Sequence, residues 1–98
     1  MKHKPSVSYV EGLHKRLADP EYAVGFLNEC LQDDDDRVFL LALHDVAQVH
    51  GGLGQLARKA KLSREHLYRM LSKKGNPGLH NIRLLVEALG YRLTLRKA

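Results

Sequence analysis

The chain has 98 residues but only one cysteine and no long apolar run. A single cysteine cannot form an internal disulfide, which is typical of a protein in the reducing cytoplasm. No apolar segment approaches the roughly 18 residues that a membrane-spanning helix needs. The basic start of the chain is not followed by the apolar region of a signal peptide, so export is not expected. These absences predict one cytoplasmic domain without a membrane partner.

Groupings that carry enzyme or metal chemistry are also missing. No two of the six histidines stand at zinc-ligand spacing with a third ligand nearby. The chain has no HExxH motif, no glycine-rich phosphate loop and no GxSxG motif. Ser63 is close to His66 in sequence, but no residue supplies an orienting acid. The four acids at 33–36 lack the spacing of a calcium loop and predict a solvated turn that leads into a helix. We therefore predict no catalytic residue, cofactor or metal.

Apolar side chains recur at helical spacing along most of the chain. Asp19, Pro20 and Glu21 form a helix start signal: an N-cap, a proline in the first turn and an acid. The stripes expected to face the core are Ala23, Phe26, Leu27, Cys30 and Leu31; then Val38, Leu41, Ala42, Asp45, Val46 and Val49; then Leu67, Met70 and Leu71; and finally Leu79, Ile82, Leu85, Val86 and Leu89. Its place in the first stripe makes Cys30 a buried apolar residue rather than a nucleophile.

Residues 91–96 alternate apolar and polar side chains with a period of two, which predicts a strand. A lone strand leaves its edge unpaired, so the segment either packs as a tail or, as we prefer, pairs with a second copy of the chain. The predicted fold is all-α, with five to six helices and a short C-terminal β-strand. Its single domain, 1–98, comprises a helical extension (1–36), a helix-turn-helix core (37–90) and a strand or tail (91–98).

The net charge of +5 conceals two halves of opposite sign. Residues 1–50 hold five Lys/Arg and nine Asp/Glu, a net charge of −4. Residues 51–98 hold eleven Lys/Arg and only Glu65 and Glu87, a net charge of +9. A basic half favours a polyanionic partner, because phosphate neutralisation supplies most of the non-specific affinity for DNA.

Residues 54–72, within this basic half, predict a short helix, a tight turn and a second helix. Ser63 is suited to cap the second helix, since its hydroxyl can accept an orphan amide hydrogen. Leu67, Met70 and Leu71 form the inward stripe, which leaves a polar and cationic face in solvent. A short helix with such a face fits a DNA major groove. The pattern predicts a helix-turn-helix that binds double-stranded operator DNA.

The open face of the second helix carries the candidate base-reading residues. Arg64 and Arg69 suit bidentate contacts with guanine, and Tyr68 and Ser72 can reach a thymine methyl group or a phosphate. Glu65 either accepts from cytosine or, as we favour, pairs with Arg69 four residues along. The predicted DNA-binding set also includes Gln55, Ser63, His66, Lys73, Lys74 and Asn76.

Several members of this set have a second interpretation. Lys73, Lys74 and Asn76 are equally well explained as phosphate contacts or as a solvated helix end whose cations complement the dipole. His66 is either a donor at the groove edge or a helix-surface residue. Gln55 is expected to anchor the first helix to the DNA backbone. A two-fold dimer would place two copies of the predicted 63–73 helix in successive major grooves, about 34 Å apart.

The chain closely resembles the addiction-module antidote family. The residues that carry the resemblance are 19–23, 26–29, 39–47, 51–57, 62–71, 75–77 and 87–93. The resemblance implies a HigA-like antitoxin of a type II toxin–antitoxin system, with a Cro/CI-type (lambda-repressor-like) helix-turn-helix. Such a protein would neutralise a small basic toxin of the RelE/ParE superfamily, typically a HigB-like ribonuclease, and repress their shared operon at a palindromic operator.

One residue departs from the pattern, since Lys61 stands where this fold usually has glycine. A residue with a side chain would cost roughly 1 kcal/mol there if its φ angle is positive. Two other functions compete with the antitoxin hypothesis. A stand-alone repressor of phage type would use the same DNA-binding motif without a protein partner, and a small enzyme is disfavoured by the missing catalytic groupings.

Overall fold

Six helices form the part of the chain that the computed structural model describes, residues 7–98. They are α1 (Val7–Leu17), α2 (Pro20–Leu31), α3 (Asp36–Val49), α4 (Gly52–Ala60), α5 (Arg64–Met70) and α6 (Leu79–Ala88). The Cα radius of gyration is 13.1 Å, close to the roughly 13 Å expected of a compact chain of about 100 residues. No helix within residues 7–98 is long and apolar enough to cross a membrane.

The helix start signal predicted at residues 19–21 is confirmed. The Asp19 carboxylate accepts from the Glu21 amide at 3.0 Å, and Pro20 is the first residue of α2. Asp35 caps α3 in the same way, accepting from the Arg37 amide at 3.0 Å. The predicted solvated turn at 33–36 therefore leads into the N-terminus of a helix. Negative charge there stabilises the helix through its favourable interaction with the helix dipole.

Helices α1 to α3 enclose the first of two apolar clusters, with α3 packed against both of the others. Its buried residues are Leu13, Leu17, Ala23, Leu27, Phe39, Leu40, Ala42, Leu43, Val46 and Val86. Cys30 is half-buried against this cluster, and burial raises the pKa of its thiol. A raised pKa keeps the thiol protonated and poorly nucleophilic. The observed environment agrees with a packing role for Cys30.

The predicted core stripes were wrong at three leucines. Leu31, Leu41 and Leu79 are 50%, 60% and 65% exposed. In α3, the neighbours Phe39 and Leu40 are buried instead. Residues 38–43 are all apolar, so spacing alone permits more than one inward face, and packing against α1, α2 and α4 selects the face that is buried.

Helices α4 to α6 enclose the second cluster. Its buried residues are Ala47, Leu56, Ala57, Ala60, Leu67, Met70 and Leu85. Leu71 and Leu89 are partly buried and pack against both clusters, so the two clusters meet at these side chains. A polar contact also joins distant elements: the His50 Nε2–H, at the end of α3, donates to the Leu17 carbonyl at 2.7 Å.

The predicted C-terminal strand is not formed in the single chain. Residues 91–98 have no regular secondary structure, and no strand occurs elsewhere in the described range. Instead, the Tyr91 hydroxyl donates to the Pro20 carbonyl at 3.2 Å, and Leu93 packs against the first cluster. A strand requires hydrogen bonds from a neighbouring strand, and this all-helical chain offers none. The start of the segment therefore packs as a tail.

Lys61 ends α4 with a left-handed backbone, φ 59° and ψ 43°. It is the one non-glycine residue between 7 and 98 with a positive φ angle. An L-residue is strained in this region by roughly 1–2 kcal/mol, whereas glycine is not. Lys61→Gly should therefore raise the free energy of unfolding by about 1 kcal/mol, after allowance for the greater flexibility of glycine in the unfolded chain.

Thermal unfolding measures this gain, with a melting temperature about 4–8 °C above that of the unmodified chain. The matched control is Lys59→Gly, since Lys59 is exposed within the last turn of α4. That change should lower stability by about 1 kcal/mol, because glycine weakens a helix interior. Equal destabilisation by both substitutions would contradict the strain at Lys61.

Candidate nucleic-acid interface

The turn between α4 and α5 sets the position of the predicted DNA-binding helix. Leu62 donates its amide hydrogen to the Ala57 carbonyl at 2.9 Å, which closes the end of α4 around the left-handed Lys61. Ser63 then caps α5, as predicted, with its hydroxyl oxygen accepting from the His66 amide at 3.0 Å. These local bonds join the two helices through a turn of three residues, 61–63.

The two faces of α5 agree with the predicted pattern. Leu67 is completely buried and Met70 is 5% exposed, so both anchor α5 in the second cluster. The outward side chains are exposed at Arg64, Glu65, Tyr68 and Arg69, and His66 is half-buried. The apolar anchor thus presents two arginines and a tyrosine to solvent on one short helix.

Arg64 and Tyr68 form a pair on this exposed face. Arg64 Nη2 donates to the Tyr68 hydroxyl oxygen at 3.4 Å, and the guanidinium lies 5.9 Å from the ring centroid. The hydrogen bond to Tyr68 raises the pKa of the Arg64 guanidinium, which stays charged. Gly54 of α4 lies next to this side chain, since a Cβ atom there would be in ordinary van der Waals contact with Arg64 Nε at 3.9 Å. One hydroxyl cannot satisfy all five guanidinium N–H donors, so the others can bind an acceptor outside the protein.

The favoured pairing of Glu65 with Arg69 is not observed. The ion pairs found within residues 7–98 join Arg37 to Asp35 and His44 to Asp45. Glu65 and Arg69 are both exposed, and an ion pair in water gains too little to hold two long side chains in one geometry. Arg69 is thus not engaged by Glu65 at the centre of the face.

α5 is shorter than the predicted 63–73 helix, because it ends at Met70. The Ser72 hydroxyl donates to the Arg69 carbonyl at 2.8 Å, and the Gly75 amide donates to the Ser72 carbonyl at 3.0 Å. The chain then folds back so closely that a Cβ atom at Gly75 would collide with the Met70 carbonyl. Lys73 and Lys74 therefore lie in a turn rather than in the helix.

Two shallow recesses flank the exposed face of α5 and divide the predicted residues between them. His66, Arg69, Ser72, Lys74 and Asn76 line the first recess, which also receives Asn81 from α6. Tyr68 and Ser72 line the second, with His44, Gln48 and Leu53 from α3 and α4. Ser72 belongs to both recesses, so the two recesses adjoin at this residue.

Gln55 and Lys73 lie away from these recesses. Gln55 turns back over Gly51, where its side chain occupies the space that a Cβ atom would need, and it lines a separate recess with His50 and Lys59. Lys73 lies beside the start of α3, near Asp35 and Leu41. The structure therefore does not bring these two residues together with the recess that holds Arg69.

Sequence reasoning missed Asn81, which lies beside Arg69 and Asn76. The sequence did indicate that Asn81 is polar and lies outside the apolar stripe of α6, because it directly precedes Ile82 of that stripe. The missing information was the course of the loop at 73–78, which brings the first turn of α6 next to α5.

Asp45 of α3 is a half-buried carboxyl group that follows His44 of the second recess. Burial raises the pKa of the Asp45 carboxyl, while His44 and His14 act in the opposite direction. His44 Nδ1 is buried without a hydrogen-bond partner and lies 3.6 Å from Asp45 Oδ1.

No group of side chains between residues 7 and 98 is arranged to hold a metal ion.

The raised pKa of Asp45 makes a testable contribution to stability. The folded protein binds a proton at Asp45 more readily than the unfolded chain does, so this group lowers stability as the pH rises through its raised pKa. Asp45→Asn removes the titration. The variant should therefore gain stability relative to the unmodified chain between about pH 3 and pH 7. Denaturant unfolding at both pH values measures the gain, and a constant difference between the two proteins would contradict it.

These features define a small all-helical protein with a cationic helix face turned to solvent. The chain belongs to a family of antidote proteins: residues 11–97 match the family described as "Probable addiction module antidote protein". It is also similar to a protein of Haemophilus influenzae described as "Uncharacterized protein". The two are 37% identical over 84 residues, which span 86% of each chain. No solved structure matches the chain.

Proposed function

We propose that the chain is an antitoxin that neutralises a toxin protein and represses its own operon by binding operator DNA. Membership of the antidote family supports the first activity. The observation that carries the second is the exposed face of α5, where Arg64, Tyr68 and Arg69 stand on a helix anchored by Leu67. That face lies in the half of the chain with a net charge of +9.

In the proposed complex, α4 and α5 act as a helix-turn-helix of the Cro/CI type. α5 enters the major groove, where Arg64 and Arg69 donate to guanine N7 and O6. Tyr68 and Ser72 contact a thymine methyl group or a phosphate. Ser63 sets the start of the helix by capping it. Gln55 is not included among these contacts, because its side chain lies over Gly51.

The residues around α5 supply proposed contacts to the DNA backbone. Lys74, Asn76 and His66 line the recess beside Arg69, and Lys73 lies at the edge of the same turn. Cations and amide donors in these positions fix the register of a helix on the duplex without reading sequence. Neutralising Lys73 or Lys74 would therefore weaken binding to all DNA sequences alike.

We propose a two-fold dimer that presents two α5 helices to a palindromic operator. The alternating segment 91–96 supplies the contact, since Leu95 is fully exposed and the main chain of the segment forms no strand within its own copy. Pairing with the same segment of a second chain would satisfy these backbone groups. The proposed toxin is a small basic protein of the RelE/ParE superfamily, a HigB-like ribonuclease.

Two measurements on the unmodified chain test this function. A footprint on the promoter of its own gene should show protection of two half-sites whose centres are about 10 base pairs, one helical turn, apart. Co-expression with the protein encoded beside its gene should relieve the growth arrest that this neighbour causes alone. Protection without relief would identify the stand-alone repressor. Relief without protection would overturn the repressor function.

A further inference from the structure

An apolar groove opens between α2, α3 and the loop before α6. The side chains of Cys30, Leu31, Phe39, Leu40, Pro77 and Ile82 form its apolar lining. The volume of the groove is about 200 Å³, enough for one or two large apolar side chains. The groove shares the loop residues 75–77 with the recess that holds Arg69, but no residue of α5 lines it.

The groove is flanked by leucines that the fold leaves in solvent. Leu31, the last residue of α2, is 50% exposed at its edge. Leu41 of α3 is 60% exposed on the neighbouring surface, and Leu40 and Arg37 lie between the two. Exposed apolar side chains next to an apolar groove mark a surface for another protein rather than a solvated face.

An acidic segment of the chain adjoins this groove. The segment 29–37 contains five acids, Glu29 and the four aspartates at 33–36, and one base, Arg37. Asp33, Asp36 and Arg37 line the groove itself. Arg37 is bound to Asp35 at 3.3 Å, so it does not neutralise the other acids. The segment that adjoins the groove thus has a net charge of −4, in a chain whose net charge is +5.

This charge excludes two of the possible occupants. DNA is repelled by carboxylates, since its affinity for proteins depends on phosphate neutralisation. A second copy related by a two-fold axis through the groove would bring the same acids together, and like charges across an interface are strongly unfavourable. A head-to-tail contact with the basic half of a second copy would build a ring or an open chain of copies, neither of which is the proposed two-fold dimer.

We propose that this groove is the docking site of the toxin, which inserts an apolar side chain flanked by lysine or arginine. The inference rests on the proposed antitoxin function. The apolar lining supplies the anchor for the inserted side chain, and the acids at 33–36 steer the basic partner and pair with its cations. The toxin thus binds the acidic half of the chain, while α5 in the basic half remains available for DNA.

The experiment measures binding of full-length variants to the purified protein encoded beside the gene, by surface plasmon resonance at two salt concentrations. Leu31→Arg places a cation at the groove edge and should weaken the complex at least about tenfold. Asp33→Lys combined with Asp36→Lys should slow association about tenfold at low salt, with a smaller effect at high salt. Thermal unfolding and operator binding by each variant establish that it is folded.

Matched substitutions elsewhere on the acidic half serve as controls. Val10→Arg is the control for Leu31→Arg, because it adds the same cation on α1. Glu11→Lys combined with Glu21→Lys is the control for the double aspartate variant, because it makes the same change in net charge. Glu21, like Asp36, is an acid in the first turn of a helix. Both controls should bind the toxin like the unmodified chain. Unchanged toxin binding by folded Leu31→Arg would overturn the groove assignment and leave the antitoxin function intact. Failure of the unmodified chain to bind would overturn the antitoxin function and the groove assignment with it.

Discussion

Replacing Leu67 by alanine should lower the free energy of unfolding by about 2–5 kcal/mol, the largest effect of any substitution considered for this chain. Leu67 is completely buried in the second cluster and is the principal anchor of α5. The substitution removes the apolar contacts of the side chain and leaves a cavity that neighbouring helices fill only in part. A small domain is stable by about 5–15 kcal/mol, so the loss is a large fraction of the total.

Urea unfolding followed by circular dichroism measures the loss at Leu67. The matched control is Leu79→Ala, because Leu79 is also helical but 65% exposed, and its substitution should change stability by less than about 0.5 kcal/mol. A loss below about 1 kcal/mol at Leu67 would mean that α5 is held mainly by other contacts. Operator binding should fall together with the folded fraction, because α5 has no position outside this core.

Arg69→Ala should weaken binding to the specific operator by about 1–3 kcal/mol while leaving the melting temperature nearly unchanged. The side chain is exposed, is not held by Glu65 and lies beside the recess formed with Lys74 and Asn76. Its loss removes donors to a base edge but no packing in the core. Arg69→Ala therefore changes operator affinity without changing stability, whereas Leu67→Ala changes both.

A gel shift with operator and scrambled DNA measures the effect of Arg69→Ala, since a base-reading residue lowers affinity for the operator more than for the scrambled duplex. Arg16→Ala is the matched control, because Arg16 is an exposed arginine on α1 that donates to the Tyr22 hydroxyl at 3.0 Å. Equal operator binding by Arg69→Ala and Arg16→Ala would remove Arg69 from the proposed contacts. An equal loss on both duplexes would assign Arg69 to a phosphate.

Features specified by neighbouring residues were predictable from the sequence. The caps at Asp19 and Ser63 depend on a side chain reaching an amide two or three positions away, and both are observed. The inward anchors of α5, Leu67 and Met70, followed from spacing, because polar residues on either side left one possible face. The same reasoning identified the exposed residues of that face.

Features that depend on distant parts of the chain were not predictable in this way. The exposure of Leu41 depends on which side of α3 meets α1 and α2, and the apolar run around it permits several choices. The side-chain direction of Gln55 depends on the space that Gly51 leaves open. The 91–96 segment has the pattern of a strand, but a pattern cannot supply the second strand that would pair with it.

The order in which the helices pack has a kinetic consequence. α1 packs on α2, α2 on α3, α3 on α4 and α4 on α5, so most interhelical contacts join segments that are consecutive in the chain. Helical domains with such local contacts fold in about microseconds to milliseconds, because little loop-closure entropy opposes them. Ribosomes add only about 5–20 residues each second. Folding of this helical chain is therefore expected to take less time than the addition of one residue, so the exposed face of α5 forms without a delay after synthesis.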